Sequence, residues 1–119
     1  MWAVENLKVW QDAVQLATDV YTLIRSNSVF SKDFGLKDQV QRSAVSIASN
    51  IAEWNDRKSD IEFCRYLYIA RWSASELKTQ LCIAKNISYI TQSDFKNILE
   101  KITTIQKMIN WLIASLSSS

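Results

Sequence analysis

The sequence contains one glycine and no proline among its 119 residues. Average usage would give about eight glycines and about six prolines in a chain of this length. Sheet proteins need both residue types at their many tight turns. A chain that omits them has few turns, and therefore few and long elements. This composition predicts an all-α protein.

Histidine is absent and cysteine occurs twice. The absence of histidine removes the commonest general base and the commonest metal ligand. It also excludes di-iron sites built on Glu-x-x-His. The single glycine, Gly35, excludes glycine-rich phosphate-binding loops. If Cys64 and Cys82 share one helix, they are about 27 Å apart, too far for a disulfide or a shared zinc ion. We therefore expect free thiols in a reducing compartment, no metal and no cofactor.

The charge balance is nearly even. The formal net charge is +2 and the sequence pI is 8.6, which permits a polyanionic partner without arguing strongly for one. The N-terminus has no apolar signal-peptide core, and no apolar run approaches the ~20 residues that span a bilayer. We expect a cytoplasmic protein with no membrane partner, folded as a single domain over residues 1–119.

Apolar side chains recur with helical periodicity in four segments. They cover about residues 6–25, 33–54, 60–86 and 92–116. The third segment begins at a capping-box pattern, Ser59 to Glu62. Ser26 to Ser28 breaks the pattern as a loop, and Ser117 to Ser119 is expected to fray. Short connections place consecutive helices antiparallel, so the chain predicts an antiparallel up-down four-helix bundle.

Two features of the middle helices suggest contacts beyond a simple core. The second segment carries a stripe of short, mostly uncharged polar residues, which allow helices to approach closely and bond across the contact. A solvent face and a helix–helix or subunit contact both remain open for it. In the third segment, Ile61, Tyr68 and Trp72 widen the apolar arc and suggest more than one neighbour. The candidate oligomer-interface residues are Ser43, Ser46, Asn50, Glu53, Trp54 and Trp72.

Arg71, Lys78 and Lys85 recur every seven residues on the third helix and therefore share one face. Such a row can meet phosphates. The alternative is a solvated face that Glu76 partly neutralises. The candidate nucleic-acid-binding residues, on this helix and near it, are Arg42, Arg57, Lys58, Arg65, Arg71, Lys78 and Lys85.

Four stretches resemble the motifs of a bacterial four-helix-bundle family. Residues 7–13 resemble "L-x-V-W-x-x-A", and residues 39–53 resemble "Q-x-R-A-x-S-I-x-S-N-I-A-E". Residues 62–70 resemble "E-F-x-R-F-L-x-I-A", and residues 73–81 resemble "S-x-x-E-L-E-T-Q-L". The family comprises proteins encoded in intervening sequences of bacterial large-subunit ribosomal RNA genes, sometimes labelled ribosomal proteins. It is related to the accessory proteins of diversity-generating retroelements.

The resemblance implies a homopentameric ring of four-helix bundles and a role in binding RNA or DNA. Two departures stand out: Trp54 and Asn55 replace the usual glycine-containing turn, and Lys78 stands where the family has glutamate. The family signature positions matched in this chain are Arg42, Ser46, Asn50, Glu53, Arg57, Arg65 and Glu76.

These observations lead to a functional hypothesis and two rivals. The leading one is a non-enzymatic homo-oligomeric helical bundle that binds structured RNA or DNA, or a nucleoprotein. The first rival is a protein–protein scaffold or accessory adaptor, for example for a reverse transcriptase, without direct nucleic-acid binding. The second is an acid–base enzyme that uses Glu53 and Glu76, which we disfavour because nothing in the sequence positions a substrate.

Overall fold

The computed structural model describes residues 3–117, which form five α-helices and two 3₁₀ turns without a strand. The predicted all-α helical bundle is confirmed. Trp2, Ser118 and Ser119 lie outside the described residues. The helices are α1 (Lys8–Arg25), α2 (Ser28–Lys32), α3 (Phe34–Ile51), α4 (Asp60–Asn86) and α5 (Gln92–Ser117), and the 3₁₀ turns are Val4–Asn6 and Ala52–Asp56.

The helices of the structure differ from those predicted by the apolar periodicity at α2 and at the end of α3. The short helix α2 begins at Ser28, the last residue of the predicted loop, and its N-cap residue Asn27 accepts a hydrogen bond from the backbone N–H of Phe30 at 2.9 Å. This turn places Phe30 fully in the core. The second long helix ends at Ile51 and not at residue 54, because the chain tightens into the 3₁₀ turn Ala52–Asp56.

The four long helices form a closed bundle, 47 × 21 × 20 Å in extent. Helix α3 packs between α1 and α4, and α5 packs between α4 and α1. Helix α4 contributes an uninterrupted core stripe. Each fully buried Leu, Ile or Phe side chain contributes about 1.5–3 kcal/mol through removal from water. The largest fully buried side chains are Leu16, Ile24, Phe30, Ile47, Ile51, Phe63, Leu67, Leu77, Leu81, Ile102, Ile105 and Ile109.

Helices α3 and α4 both begin at a side-chain cap. The Ser59 hydroxyl accepts a hydrogen bond from the backbone N–H of Glu62 at 3.1 Å, and two acidic residues occupy the first turn of α4. This satisfies an otherwise unpaired N–H and suits the helix dipole. At the start of α3, Asp33 accepts in the same way from Leu36 at 3.1 Å.

Tyr89 joins the α4–α5 connection to the start of α3. Its hydroxyl donates to Asp33 Oδ2 at 2.8 Å, and its ring lies 5.3 Å from that of Phe30. The Asn27 side-chain amide donates to the Tyr89 carbonyl oxygen. The backbone N–H of Leu36 and the Tyr89 hydroxyl hold the pKa of Asp33 below its usual 3.8. In return, the hydrogen bond to Asp33 raises the pKa of Tyr89 above its usual 10.0.

Candidate nucleic-acid interface

The basic row of α4 faces α5. Arg71 donates from Nη1 to the side-chain oxygen of Asn110 on α5 at 3.1 Å. The Lys85 ammonium lies 4.8 Å from the ring centroid of Phe95, also on α5. Lys78 lies between them along the helix and is exposed. We call the depression beside this row the α4–α5 groove; its volume is about 460 Å³ and its lining is Ser75, Lys78, Thr79, Cys82, Ile83, Phe95 and Gln106.

The row carries positive charge that the protein does not neutralise. Among residues 3–117, no carboxylate lies within 4.0 Å of the charged nitrogens of Arg71, Lys78 or Lys85. Lys101 on α5 contrasts with them, because it pairs with Asp19 on α1 at 2.6 Å. Burial raises the pKa of Asp19, but hydrogen bonds from Lys101 and Gln15 outweigh it, so the pKa lies below its usual value.

The other predicted basic residues are not in the groove. Arg42 is exposed on α3 and pairs with Asp38 at 2.8 Å. Lys58 is exposed in the connection before α4. Arg65 is exposed on α4, about 120° around the helix from Arg71. The structure therefore brings together three of the seven candidate residues.

Arg57 is held by its own turn. Its guanidinium lies 3.6 Å from the ring centroid of Trp54, and Nη1 donates to the Trp54 carbonyl oxygen at 2.7 Å. The guanidinium also lies 3.9 Å from Asp60, and 18% of the side chain is exposed. A guanidinium that stacks on an indole and bonds to backbone has little surface left for a phosphate. Its geometry indicates a structural role in the Ala52–Asp56 turn.

The polar stripe of α3 forms a contact within the chain. The Ser73 hydroxyl on α4 donates to Ser46 Oγ at 2.8 Å. Asn50 donates from its side-chain amide to the Ser46 carbonyl oxygen at 2.8 Å and to Ser46 Oγ at 3.1 Å. Ser43 is buried. Of the two interpretations that the sequence left open, the structure shows a helix–helix contact for Ser46.

The remaining interface candidates differ in exposure. Glu53 is half-buried, and so is Trp54, whose ring meets Phe63 edge-on at 5.2 Å between centroids. Trp72 is 62% exposed, the most open of the six residues predicted for an interface. The structure adds Ile69 and Ile83 on the same helix, which are exposed although the sequence reasoning did not single them out. Their spacing from Trp72, three and eleven residues, is the signal that could have found them.

No catalytic pair forms from Glu53 and Glu76. Glu76 is exposed on α4, about 24 Å along the helix from Asp60, whereas Glu53 lies in the turn before that helix. Cys64 and Cys82 are both in α4 and free. In the part of the chain that the structure describes, no cluster of three acidic or thiol side chains could hold a metal ion, and no helix is long and apolar enough to cross a bilayer.

Comparison with known proteins finds a matching family model and similar solved structures. A family model described as "23S rRNA-intervening sequence protein" matches residues 5–111. A crystal structure of a protein of unknown function from the S23 ribosomal protein family, from Bacteroides thetaiotaomicron VPI-5482, superimposes with a TM-score of 0.82 at 28% identity. The match covers 88% of this chain and 97% of the other. Among curated proteins, none matches this chain.

Proposed function

The chain belongs to the 23S rRNA-intervening sequence protein family, and from this premise we propose that it is a non-enzymatic, homo-oligomeric helical bundle that binds structured RNA through the α4–α5 groove. DNA of similar shape and a nucleoprotein present the same phosphates and are the related ligands. The groove supplies charge and hydrogen-bond donors on a rigid helix pair.

The observation that carries this proposal is the unpaired basic row. Arg71, Lys78 and Lys85 stand seven residues apart, which is about 10.5 Å of helix rise. Cations without a carboxylate partner release counterions from a phosphate backbone when they bind it, and this release drives association. Paired cations such as Lys101 contribute less, because the acid must first be displaced or left unpaired.

Contacts with α5 already order two side chains of the basic row. Arg71 is half-buried and bonded to Asn110, and Lys85 rests over Phe95. A side chain already ordered loses less conformational entropy when a ligand binds. Ser75, Thr79 and Gln106 add hydroxyl and amide groups that can bond to phosphate or sugar oxygens.

The names of the relatives support RNA as the polyanion. The family description refers to 23S rRNA, and the similar crystal structure is assigned to a ribosomal protein family. The link to retroelement accessory proteins rests on the motif resemblance and stays a prediction. The number of subunits stays a prediction too: the resemblance implies five.

A titration at two ionic strengths tests the RNA proposal. Fluorescence anisotropy with a labelled stem-loop RNA, and with a DNA stem-loop of the same sequence, measures Kd at low and moderate salt. If the basic row binds RNA, the logarithm of the association constant K should fall linearly with the logarithm of the salt concentration. Each phosphate contact contributes about 0.7–0.9 to the slope, so three contacts give about −2 to −3. Absence of RNA binding at low salt would end the proposal.

A second candidate is a protein–protein adaptor, and one observation favours it. Helix α4 exposes large apolar side chains, with Trp72 at 62% and Ile61 at 73%. Exposed apolar surface of this kind marks protein contacts. An adaptor would hold its partner with little dependence on salt, whereas the basic row gives a steep dependence. The same two-salt RNA titration separates the two functions, because an adaptor of this kind would not bind RNA directly.

A further inference from the structure

Phe34, the first residue of α3, holds an aromatic ring in solvent. The residue is 71% exposed, more than any other aromatic residue among residues 3–117. The Lys37 ammonium lies over the ring, 5.1 Å from its centroid. The next residue along the chain is Gly35, which has no side chain to cover the ring. We call Phe34 and Lys37 the Phe34 platform: an open aromatic ring with a cation beside it.

The Phe34 platform lies at the end of the bundle where the basic row of α4 ends. The Tyr89 hydroxyl donates to Asp33 Oδ2 at 2.8 Å, so the α4–α5 connection touches the residue just before Phe34. Lys85, the last member of the basic row, is at the start of that connection, and its carbonyl oxygen accepts from the Ser88 N–H at 3.0 Å. A nucleic acid that lies along the basic row and continues past Lys85 therefore runs towards the platform.

The charge of Lys37 favours a nucleotide over an apolar protein surface as the group that covers the ring. Among residues 3–117, no carboxylate lies within 4.0 Å of the Lys37 ammonium. An apolar protein surface placed on Phe34 would bury this charge without a partner, which is costly. A nucleotide covers the ring with its base alone, and Lys37 then stays in water beside the phosphate backbone.

We propose that the Phe34 platform stacks an unpaired base of the RNA whose backbone lies in the α4–α5 groove. The inference rests on the proposed function and narrows its ligand to an RNA that has a single-stranded loop, bulge or end beside a paired stem. Bases inside a continuous duplex are stacked on one another, and only unstacked bases reach an aromatic side chain. Every base has a π-face, so the platform distinguishes unpaired from paired RNA without selecting one base over another.

The test compares two RNA hairpins that carry the same phosphates. One hairpin has a loop of uridines, and in the other the loop nucleotides are abasic. Fluorescence anisotropy measures Kd for both at low and moderate salt. Wild type is expected to bind the uridine loop about tenfold more tightly than the abasic loop. The two hairpins should give the same slope of log K against log salt, because stacking releases no counterions.

Three substitutions at Phe34 separate stacking from a simple apolar contact. Phe34→Ala and Phe34→Leu should both lose the preference for the uridine loop, because neither side chain has an aromatic face. Phe34→Trp should keep or raise the preference. Val29→Ala is the matched control, since Val29 is 59% exposed on the neighbouring helix α2 and its loss should leave the preference unchanged. Circular dichroism verifies that each variant is folded.

The possible failures of this test are distinguishable. Equal wild-type affinity for the two hairpins, with a salt slope of normal size, would overturn the platform and leave the groove assignment standing. A Phe34→Leu variant that behaves as wild type would show an apolar contact and no stacking. If Phe34→Ala keeps the preference but changes the assembled mass in light scattering, the ring belongs to a protein contact. Absence of binding to either hairpin at low salt would overturn the RNA proposal itself, and this inference with it.

Discussion

The Ser73 hydroxyl on α4 donates a hydrogen bond to Ser46 Oγ on α3 at 2.8 Å, on the side of α4 that packs against α3. Ser73 and Arg71 are two residues apart, so they point to nearly opposite sides of the helix. Arg71 and Lys85 accordingly contact α5, through Asn110 and Phe95. The α3 contact and the basic row therefore lie on different sides of α4.

Replacing Ser73 with alanine should lower the free energy of unfolding by about 1 kcal/mol, the net value of a hydrogen bond of this kind. Ser46 retains its bond from Asn50, which limits the loss. Urea denaturation followed by circular dichroism measures the change. Ser75→Ala is the matched control, because Ser75 is exposed on the same helix and should change stability by less than about 0.5 kcal/mol. Equal losses from both substitutions would contradict a stabilising role for the Ser46–Ser73 bond.

The Asp33–Tyr89 hydrogen bond should confine its stabilisation to a window of pH. The folded-state pKa of Asp33 is lowered from 3.8, so its contribution is present above 3.8 and is lost as pH falls through the lowered value. The folded-state pKa of Tyr89 is raised from 10.0, so its contribution is present below 10.0 and is lost as pH rises through the raised value.

Tyr89→Phe tests this window. The difference in Tm between wild type and variant should be constant between about pH 4 and about pH 10 and should shrink on both sides. Tyr21→Phe provides the control, because Tyr21 is exposed on α1, away from the Asp33–Tyr89 contact. A Tm difference that is the same at every pH would mean that the hydrogen bond does not couple to titration.

Arg57 should matter for stability and not for RNA. Arg57→Gln removes the stacking on Trp54 and the charged bond to its carbonyl, and should cost about 1–2 kcal/mol of stability. The affinity of the protein for a stem-loop RNA should stay within about twofold at fixed salt. The Arg57 guanidinium is already occupied by Trp54 and is a weak partner for a phosphate. Both quantities come from one preparation, by urea denaturation and by anisotropy.

Lys58→Gln is the companion to the Arg57 substitution. It changes the net charge equally at the next residue, which is exposed, and should leave stability within about 0.5 kcal/mol. If Arg57→Gln leaves stability intact but weakens RNA binding more than Lys58→Gln does, Arg57 is a nucleic-acid contact, as the sequence suggested, and not a structural residue.

The long helices could be predicted from sequence because local signals agree with tertiary packing. The start of α4 is set by Ser59, whose side chain caps the first turn, and its length by a core stripe that runs to Ala84. Helix α2 could not be predicted, because five residues are too few to show a 3.6-residue period. Its Asn27 cap was visible in the sequence, but an isolated cap residue is also typical of a loop.

The candidate site could be predicted only in part, because residue spacing shows which side chains share a face of a helix but not what that face contacts. A seven-residue spacing places Arg71, Lys78 and Lys85 on one face of α4 whatever the fold. Whether that face meets solvent, α3 or α5 depends on how the bundle closes, and the sequence does not state it. The same holds for Arg57: it stacks on Trp54 because the chain forms a 3₁₀ turn over Ala52–Asp56 and becomes extended at Arg57, whereas the sequence showed only a charged break in the helical pattern.

A comparison of salt slopes between two triple variants tests whether RNA binds in the α4–α5 groove. The variant Arg71→Gln, Lys78→Gln, Lys85→Gln is measured beside the control Arg25→Gln, Lys32→Gln, Lys107→Gln, which removes the same charge from exposed positions outside the groove. We predict that the slope of log K against log salt becomes less negative by about 2 to 3 in the groove variant. In the control variant the slope should stay within about 1 of the wild-type value. Equal losses in the two variants would show that RNA responds to net charge alone, and would contradict a binding site in the groove.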